Sequence, residues 1–261
     1  MRNFDANEAI DRIVRWIRDY FIKNGPEAYA VLGVSGGKDS TVAAMLCVKA
    51  LGANRVFGVL MPDGEQHDIG DSEEIVDLLG IDNATINIGP ITSALYNAIG
   101  VTNERVQTNA PARIRMTTLY SVAAMLNGGG RVVNTCNLSE NVLGWSTKFG
   151  DHAGDFAPLH DFTCTEVIEM GKVLAAEFGI PTCYIEKIPS DGMCGSSDEE
   201  KFGFTYAVLD AFIRDRVLPA DFTVHSKIIQ MYNRNKHKLA YMPYPRSGKG
   251  YGIDSEVPWE F

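Results

Sequence analysis

The residues of this chain best suited to chemistry lie in the run Val31-Leu32-Gly33-Val34-Ser35-Gly36-Gly37-Lys38-Asp39-Ser40, where an apolar strand passes directly into a helix. Small residues at 35 to 37 let backbone N–H groups converge on an anion. The helix from Asp39 to Leu51 adds the positive end of its dipole, roughly +0.5 charge, at the same place. The run therefore reads as a phosphate cradle made by Gly33, Val34, Ser35, Gly36, Gly37, Lys38, Asp39 and Ser40, with ATP as its expected ligand. Hydroxyls of Ser35 and Ser40 join the amides, and Asp39 offers hard oxygens to a magnesium ion.

Two look-alikes fail on spacing. A Walker loop, G-x-x-x-x-G-K-[ST], would need Gly where Leu32 stands and Ser or Thr where Asp39 stands, and G-x-G-x-x-G has no match in the run. The remaining pattern, S-G-G-x-D-S, resembles that of the pyrophosphate-releasing ATP enzymes, which adenylate a carbonyl or carboxylate oxygen.

A second cluster is Thr135-Cys136-Asn137-Leu138-Ser139-Glu140, followed by Thr147-Lys148-Phe149-Gly150-Asp151 and by Gly154-Asp155. A Glu at a helix start satisfies the dipole, and a Thr-Lys-Phe-Gly-Asp run also suits a solvated turn. Placed at the same strand edge as Asp39, however, Glu140 would share one magnesium with it, ATP oxygens completing a hard octahedral shell. Histidines 67, 152, 160 and 225 have no ligand spacing, and the five cysteines, 47, 136, 164, 183 and 194, form no C-x-x-C pair, so no zinc site is expected.

These groups must be carried by a scaffold, and the chain alternates helix and strand. Apolar residues from Ile10 to Phe21 recur at helical spacing until Asn24-Gly25-Pro26. Strands are expected at 28–34, 55–61, 84–88 and 131–135, with helices at 39–51, at 71–79 and from Pro111 to about Leu126. The expected fold is α/β: a doubly wound, Rossmann-like parallel sheet with helices on both faces and ligands at the carboxyl ends of its strands. A helical C-terminal portion follows, with helices at 163–178, 204–216 and 225–236 and a capping box from Thr163 and Glu166. Loops 61–70 and 189–203 suit lids over a nucleotide. With no repeat or linker, residues 1–261 read as one domain.

The chain has 261 residues, 45% hydrophobic and 22% charged, which is ordinary for a globular protein able to bury a sizeable core. A net charge of −9 argues against a general nucleic-acid binder. No apolar run reaches the ~18 residues of a membrane span, and the odd cysteine count suits free thiols, so no membrane partner and a cytoplasmic location are expected.

Taken together, the chain resembles the NAD synthetases, specifically the short ammonia-dependent form without a glutaminase domain. The resemblance rests on Ser35 to Ser40, Ala112-Arg113-Ile114-Arg115-Met116, Thr135 to Glu140, Thr147 to Asp151 with Asp155, Ser190 to Glu200, Gly203-Phe204-Thr205-Tyr206 and His237-Lys238. It implies an adenine-nucleotide alpha-hydrolase-like fold that amidates deamido-NAD with ammonia, releasing AMP and pyrophosphate through an adenylate. It implies that Gly33 to Ser40, Thr135 and Ser190 bind ATP, that Asp39 and Glu140 hold Mg2+, and that Arg113, Lys148, Asp155, His237 and Lys238 bind deamido-NAD. Asp39, Lys148, Asp151 and Asp155 are then the candidate catalytic residues, Asp151 or Asp155 taking the proton of ammonium. A homodimer is also implied, with the dinucleotide site across an interface made by the first helix's apolar stripe and the helix after Pro111.

The sequence departs from the family pattern at Cys164, where many relatives carry a lysine for ATP. Lys187 and Lys172 are the candidates to compensate. Pro111 replaces a common lysine, and Asn134 a common glycine. Three rivals share the cradle. A tRNA-modifying enzyme would want a basic face and paired cysteines, a GMP-forming synthase lacks the Thr-Lys-Phe-Gly-Asp and His-Lys blocks, and a nucleotide sensor would release no pyrophosphate.

Overall fold

The computed structural model describes residues 4–66, 68–100, 103–187 and 197–239. The expected Ser190 contact, His67, Cys194 and most of the loop 189–203 lie outside the described residues. The described elements are, in chain order, α1 (Ala6–Asn24), β1 (Tyr29–Gly33), α2 (Lys38–Leu51), β2 (Val56–Leu60), α3 (Ile69–Leu79), β3 (Asp82–Thr85), α4 (Gly89–Ile99), α5 (Glu104–Met125), β4 (Gly130–Val132), α6 (Leu138–Leu143), α7 (Cys164–Phe178), α8 (Cys183–Glu186), α9 (Asp198–Phe202), α10 (Tyr206–Asp215) and α11 (Phe222–Asn235).

The strands form one sheet in the order β3-β2-β1-β4, every pair parallel. Val31 is paired with Phe57 on one side and Val132 on the other, so β1 is central and its residues 30 to 32 are fully buried. Both faces are covered. On one face Ile13, Ile17 and Phe21 of α1 pack with Val42, Met45 and Leu46 of α2 and with Met170 and Leu174 of α7. On the other, Ile114, Leu119 and Ala123 of α5 pack on Val31, Val59 and Val132. The strand order reverses between β1 and β4, and in a doubly wound sheet that switch point opens the ligand crevice.

Local chemistry explains the boundaries. The Asp5 carboxylate accepts from the Asn7 and Glu8 N–H groups to start α1. Thr163 and Glu166 make the expected reciprocal capping box of α7. Three expectations are corrected. Pro111 lies inside α5, which begins seven residues earlier at an Asn103 cap. Residues 89–99, expected in no element, form α4, started by Pro90 and ended by left-handed Gly100. The fourth strand is shorter than expected, ending at Val132; the Val133 N–H still donates to the Val31 carbonyl, and Val133 also forms an isolated bridge to Phe156. The buried residues of the first helix's apolar stripe pack inside the chain, while Trp16 and Ile22 of α1 remain exposed. A third cluster, Leu143, Phe202, Phe204, Tyr206, Leu209 and Ile228, forms the helical C-terminal portion beside the crevice.

Candidate active site

The cradle is the turn from β1 into α2. Gly36 holds it open at φ +76, where a side chain is strained and a Cβ would stand 2.9 Å from that of Asp71. The hydroxyls of Ser35 and Ser40 lie 3.1 Å apart, and the Ser35 and Gly37 N–H groups donate to Ser40 Oγ and Ser35 Oγ. No side chain caps α2 at Gly37, so amides of its first turn are left for an anion.

Across the switch point stand the residues that follow β4. Asn137 caps α6 in a capping box: its Oδ1 accepts from the Glu140 N–H, and Glu140 Oε2 accepts from the Asn137 N–H. Its Nδ2 donates to Asp39 Oδ1, 3.1 Å away. This one amide ties the two sides of the crevice together. Lys38, only 4% exposed, donates to Asp39 Oδ2 at 2.7 Å and lies 5.6 Å over the Tyr206 ring. Burial opposes its charge, but facing Asp39, Cys164 and Glu140 holds the ammonium above the ordinary lysine range. Burial first, and then the Asp39 charge, push the Glu140 carboxyl well up. Two carboxylates that repel one another at the mouth of a phosphate cradle fit a divalent cation. No group of three or more metal-binding side chains occurs among the described residues.

A basic set gathers beside this pair. Arg113 Nε on α5 donates to the Lys148 carbonyl, Lys148 Nζ to the His237 carbonyl at 2.9 Å, and Lys238 Nζ to the Gly144 and Ser146 carbonyls. Phe149, next to Lys148, is 64% exposed at φ +62, a strained conformation for an aromatic residue. Asp151 is exposed as a residue, but its carboxyl is crowded by neighbouring protein atoms. That crowding raises its carboxyl, and its Oδ1 accepts from the Thr147 N–H.

The comparisons with known proteins agree with this geometry. The NAD synthase family profile matches residues 9–242. The chain belongs to the NAD synthase family. The NH(3)-dependent NAD(+) synthetase of Pyrococcus furiosus is 37% identical over 215 residues, 82% of this chain and 79% of that protein. That of Archaeoglobus fulgidus is 35% identical over 250 residues, 94% and 98% of the two. Among solved structures, an NMN synthetase from Francisella tularensis superposes with a TM-score of 0.83 at 33% identity, covering 93% of this chain and 99% of that one. An NH3-dependent NAD synthetase from Campylobacter jejuni gives 0.75 at 26%, covering 93% and 100%.

Within the NAD synthase fold, the site residues expected from sequence fall into two groups. The cradle, Asp39, Glu140, Arg113, Lys148, Asp151, His237 and Lys238 are brought to the carboxyl edge of the sheet. Thr135 stands half-buried at the end of the fourth strand's run. Asp155 is exposed, and its carboxylate is engaged within the chain: Oδ2 accepts from the Val132 N–H at 2.7 Å, and Oδ1 from the Tyr120 hydroxyl. Neither lysine expected to compensate for Cys164 is free. Lys187 pairs with Asp68 and Asp71, and Lys172 with Glu186. The cation that faces Cys164 is Lys38 itself. Two polar residues had no role in the sequence reading, Asn137 and Tyr206. The Asn-x-x-Glu spacing of a capping box was the available signal for the first.

Proposed function

We propose that this NAD synthase family member is an ammonia-dependent ligase that converts deamido-NAD to NAD at the expense of ATP, releasing AMP and pyrophosphate. The observation that carries the reading is the Asn137–Asp39 hydrogen bond, which sets a phosphate cradle and a carboxylate pair face to face across the switch point. Ammonia-dependent NAD synthetases that match most of the chain support it. None of the three rivals is favoured.

In this reading, the free amides of α2 with Ser35 and Ser40 hold the phosphates, and Thr135 and Ser190 also contact ATP. Asp39 and Glu140 would hold a magnesium ion, which when bound neutralises phosphate charge and polarises the α-phosphorus. Arg113, Lys148, His237 and Lys238 hold the anionic acceptor. Its carboxylate, ionised near neutral pH, attacks the α-phosphorus; the bond to the leaving oxygen breaks and pyrophosphate departs with the electron pair. Ammonium is no nucleophile, so Asp151, whose raised carboxyl makes it the better base, takes a proton and ammonia displaces AMP. Asp155 is a positioning residue that fixes the 150–156 turn to β4. The four described cysteines are free and three are buried, which suits a reducing cytoplasm. The exposed Ile91, Leu95 and Ile99 of α4 with Met125 of α5 are the surface proposed for a homodimer.

A second acceptor follows from the Francisella tularensis NMN synthetase, the deamidated mononucleotide. Measuring kcat/KM for both acceptors with Mg2+, ATP and ammonium tests the reading. Preference for the dinucleotide supports it, preference for the mononucleotide replaces the substrate, and turnover of neither removes the reading.

A further inference from the structure

Arg115 is a cation that neither the cradle, the carboxylate pair nor the basic set accounts for. It projects from α5, on the face of the sheet opposite α2, and its Nε donates to the Met61 carbonyl, 3.1 Å away, just beyond the carboxyl end of β2. Met61 in turn borders the cradle, its methyl lying 3.1 Å from where a Cβ on Gly33 would stand. The anchor uses one of the five guanidinium N–H donors. Neither Nη has a hydrogen-bond partner among the described residues.

The neighbourhood is acidic and partly closed. Burial works against the charge of the guanidinium, while the nearby carboxylates of Asp63, in the loop after β2, and Asp151, in the loop that carries Lys148, favour it. Arg115 is therefore held by one backbone carbonyl at the junction between the cradle and the basic set, with a forked pair of donors unspent. A half-buried guanidinium in this state is built for a pair of oxygen anions. Two anions must meet at that junction in the reaction proposed above: the acceptor carboxylate and the α-phosphate of ATP, which repel one another until a cation stands between them.

We propose that the two Nη groups of Arg115 hold the acceptor carboxylate against the α-phosphate during adenylation. No bond to Arg115 forms or breaks; the carboxylate oxygen bonds to phosphorus and the electron pair leaves on pyrophosphate, while the guanidinium stays charged throughout. The inference rests on the proposed function. The bland alternative is that Arg115 only fastens α5 to the end of β2.

The test uses the full chain with Arg115→Lys, Arg115→Gln and Arg115→Ala, and reads acceptor-dependent exchange of labelled pyrophosphate into ATP, together with the thermal midpoint and direct Mg2+·ATP binding. Wild-type protein that exchanges with neither acceptor refutes the underlying reading, not the assignment of Arg115. With active wild type, Arg115→Gln should lose exchange about 100-fold or more, the scale for removing one preorganised donor to a charge-developing centre. Mg2+·ATP affinity should stay within about threefold, and Arg115→Lys should recover part of the rate. Methylguanidine added to Arg115→Ala should restore exchange without restoring the thermal midpoint. Exchange per folded molecule within about threefold of wild type in Arg115→Gln, or a loss that follows only the thermal midpoint and ignores methylguanidine, overturns the proposal.

Discussion

Glu140 serves two purposes with one carboxylate: it closes the capping box of α6 and faces Asp39 across the crevice. A glutamine can still accept from the Asn137 N–H, so Glu140→Gln should change stability by no more than ~0.5 kcal/mol while lowering magnesium-dependent turnover about 100-fold or more. A melting curve and an assay on one preparation separate the two effects. The raised Glu140 carboxyl also sets a pH dependence. Below the ordinary carboxylate range folded and unfolded chains both hold the proton; as pH rises towards the elevated folded value, the unfolded chain releases it first, so ligand-free stability falls. Mg2+·ATP needs the ionised form, so its stabilisation of the fold should grow from pH 6 to pH 9, and Glu140→Gln should flatten that trend. Thermal shifts with and without ligand check it. At the residue scale the S-G-G-x-D-S turn between β1 and α2 and the Thr163–Glu166 capping box were legible because both are local patterns. The place of Lys38 beside Cys164 was not, since it depends on where α7 docks against α2.

At the scale of elements, the cradle depends on a turn that only glycine fits comfortably. Gly36→Ala places a Cβ 2.9 Å from that of Asp71 at φ +76, so it should cost about 1–2 kcal/mol and weaken ATP binding, measured by melting and by calorimetry. Thr163→Ala removes the cap of α7 and should cost ~1 kcal/mol without changing the KM for ATP. The starts of α1, α2 and α7 were readable within one to four residues, because start signals, a side-chain cap for α1 and α7 and a glycine turn for α2, act through neighbouring backbone groups. The region from 89 to 110 was not. α4 turns much of its apolar surface outward, and α5 carries Pro111 internally against the usual local preference, a choice made by packing on β1 and β4.

For the whole molecule, the doubly wound order β3-β2-β1-β4 explains why residues a hundred positions apart meet: Asp39 follows β1, Asn137 and Glu140 follow β4, and the two strands flank the reversal. The alternation of helix and strand made that architecture legible, whereas the strand order follows from long-range pairing. The exposed apolar faces of α4 and α5 lead to a further expectation. Wild type should run as a dimer in light scattering, and Leu95→Glu with Met125→Glu should shift it to the mass of one chain; an unchanged mass would exclude that face. The central claim is that the acceptor's carboxylate attacks ATP held in the cradle, and one incubation tests it directly. Deamido-NAD labelled with 18O in its carboxylate is mixed with the protein, Mg2+, ATP and ammonium, and the products are read by mass. The account predicts NAD, AMP and pyrophosphate in equal amounts with a single labelled oxygen in AMP; unlabelled AMP, or ADP and phosphate in its place, would contradict it.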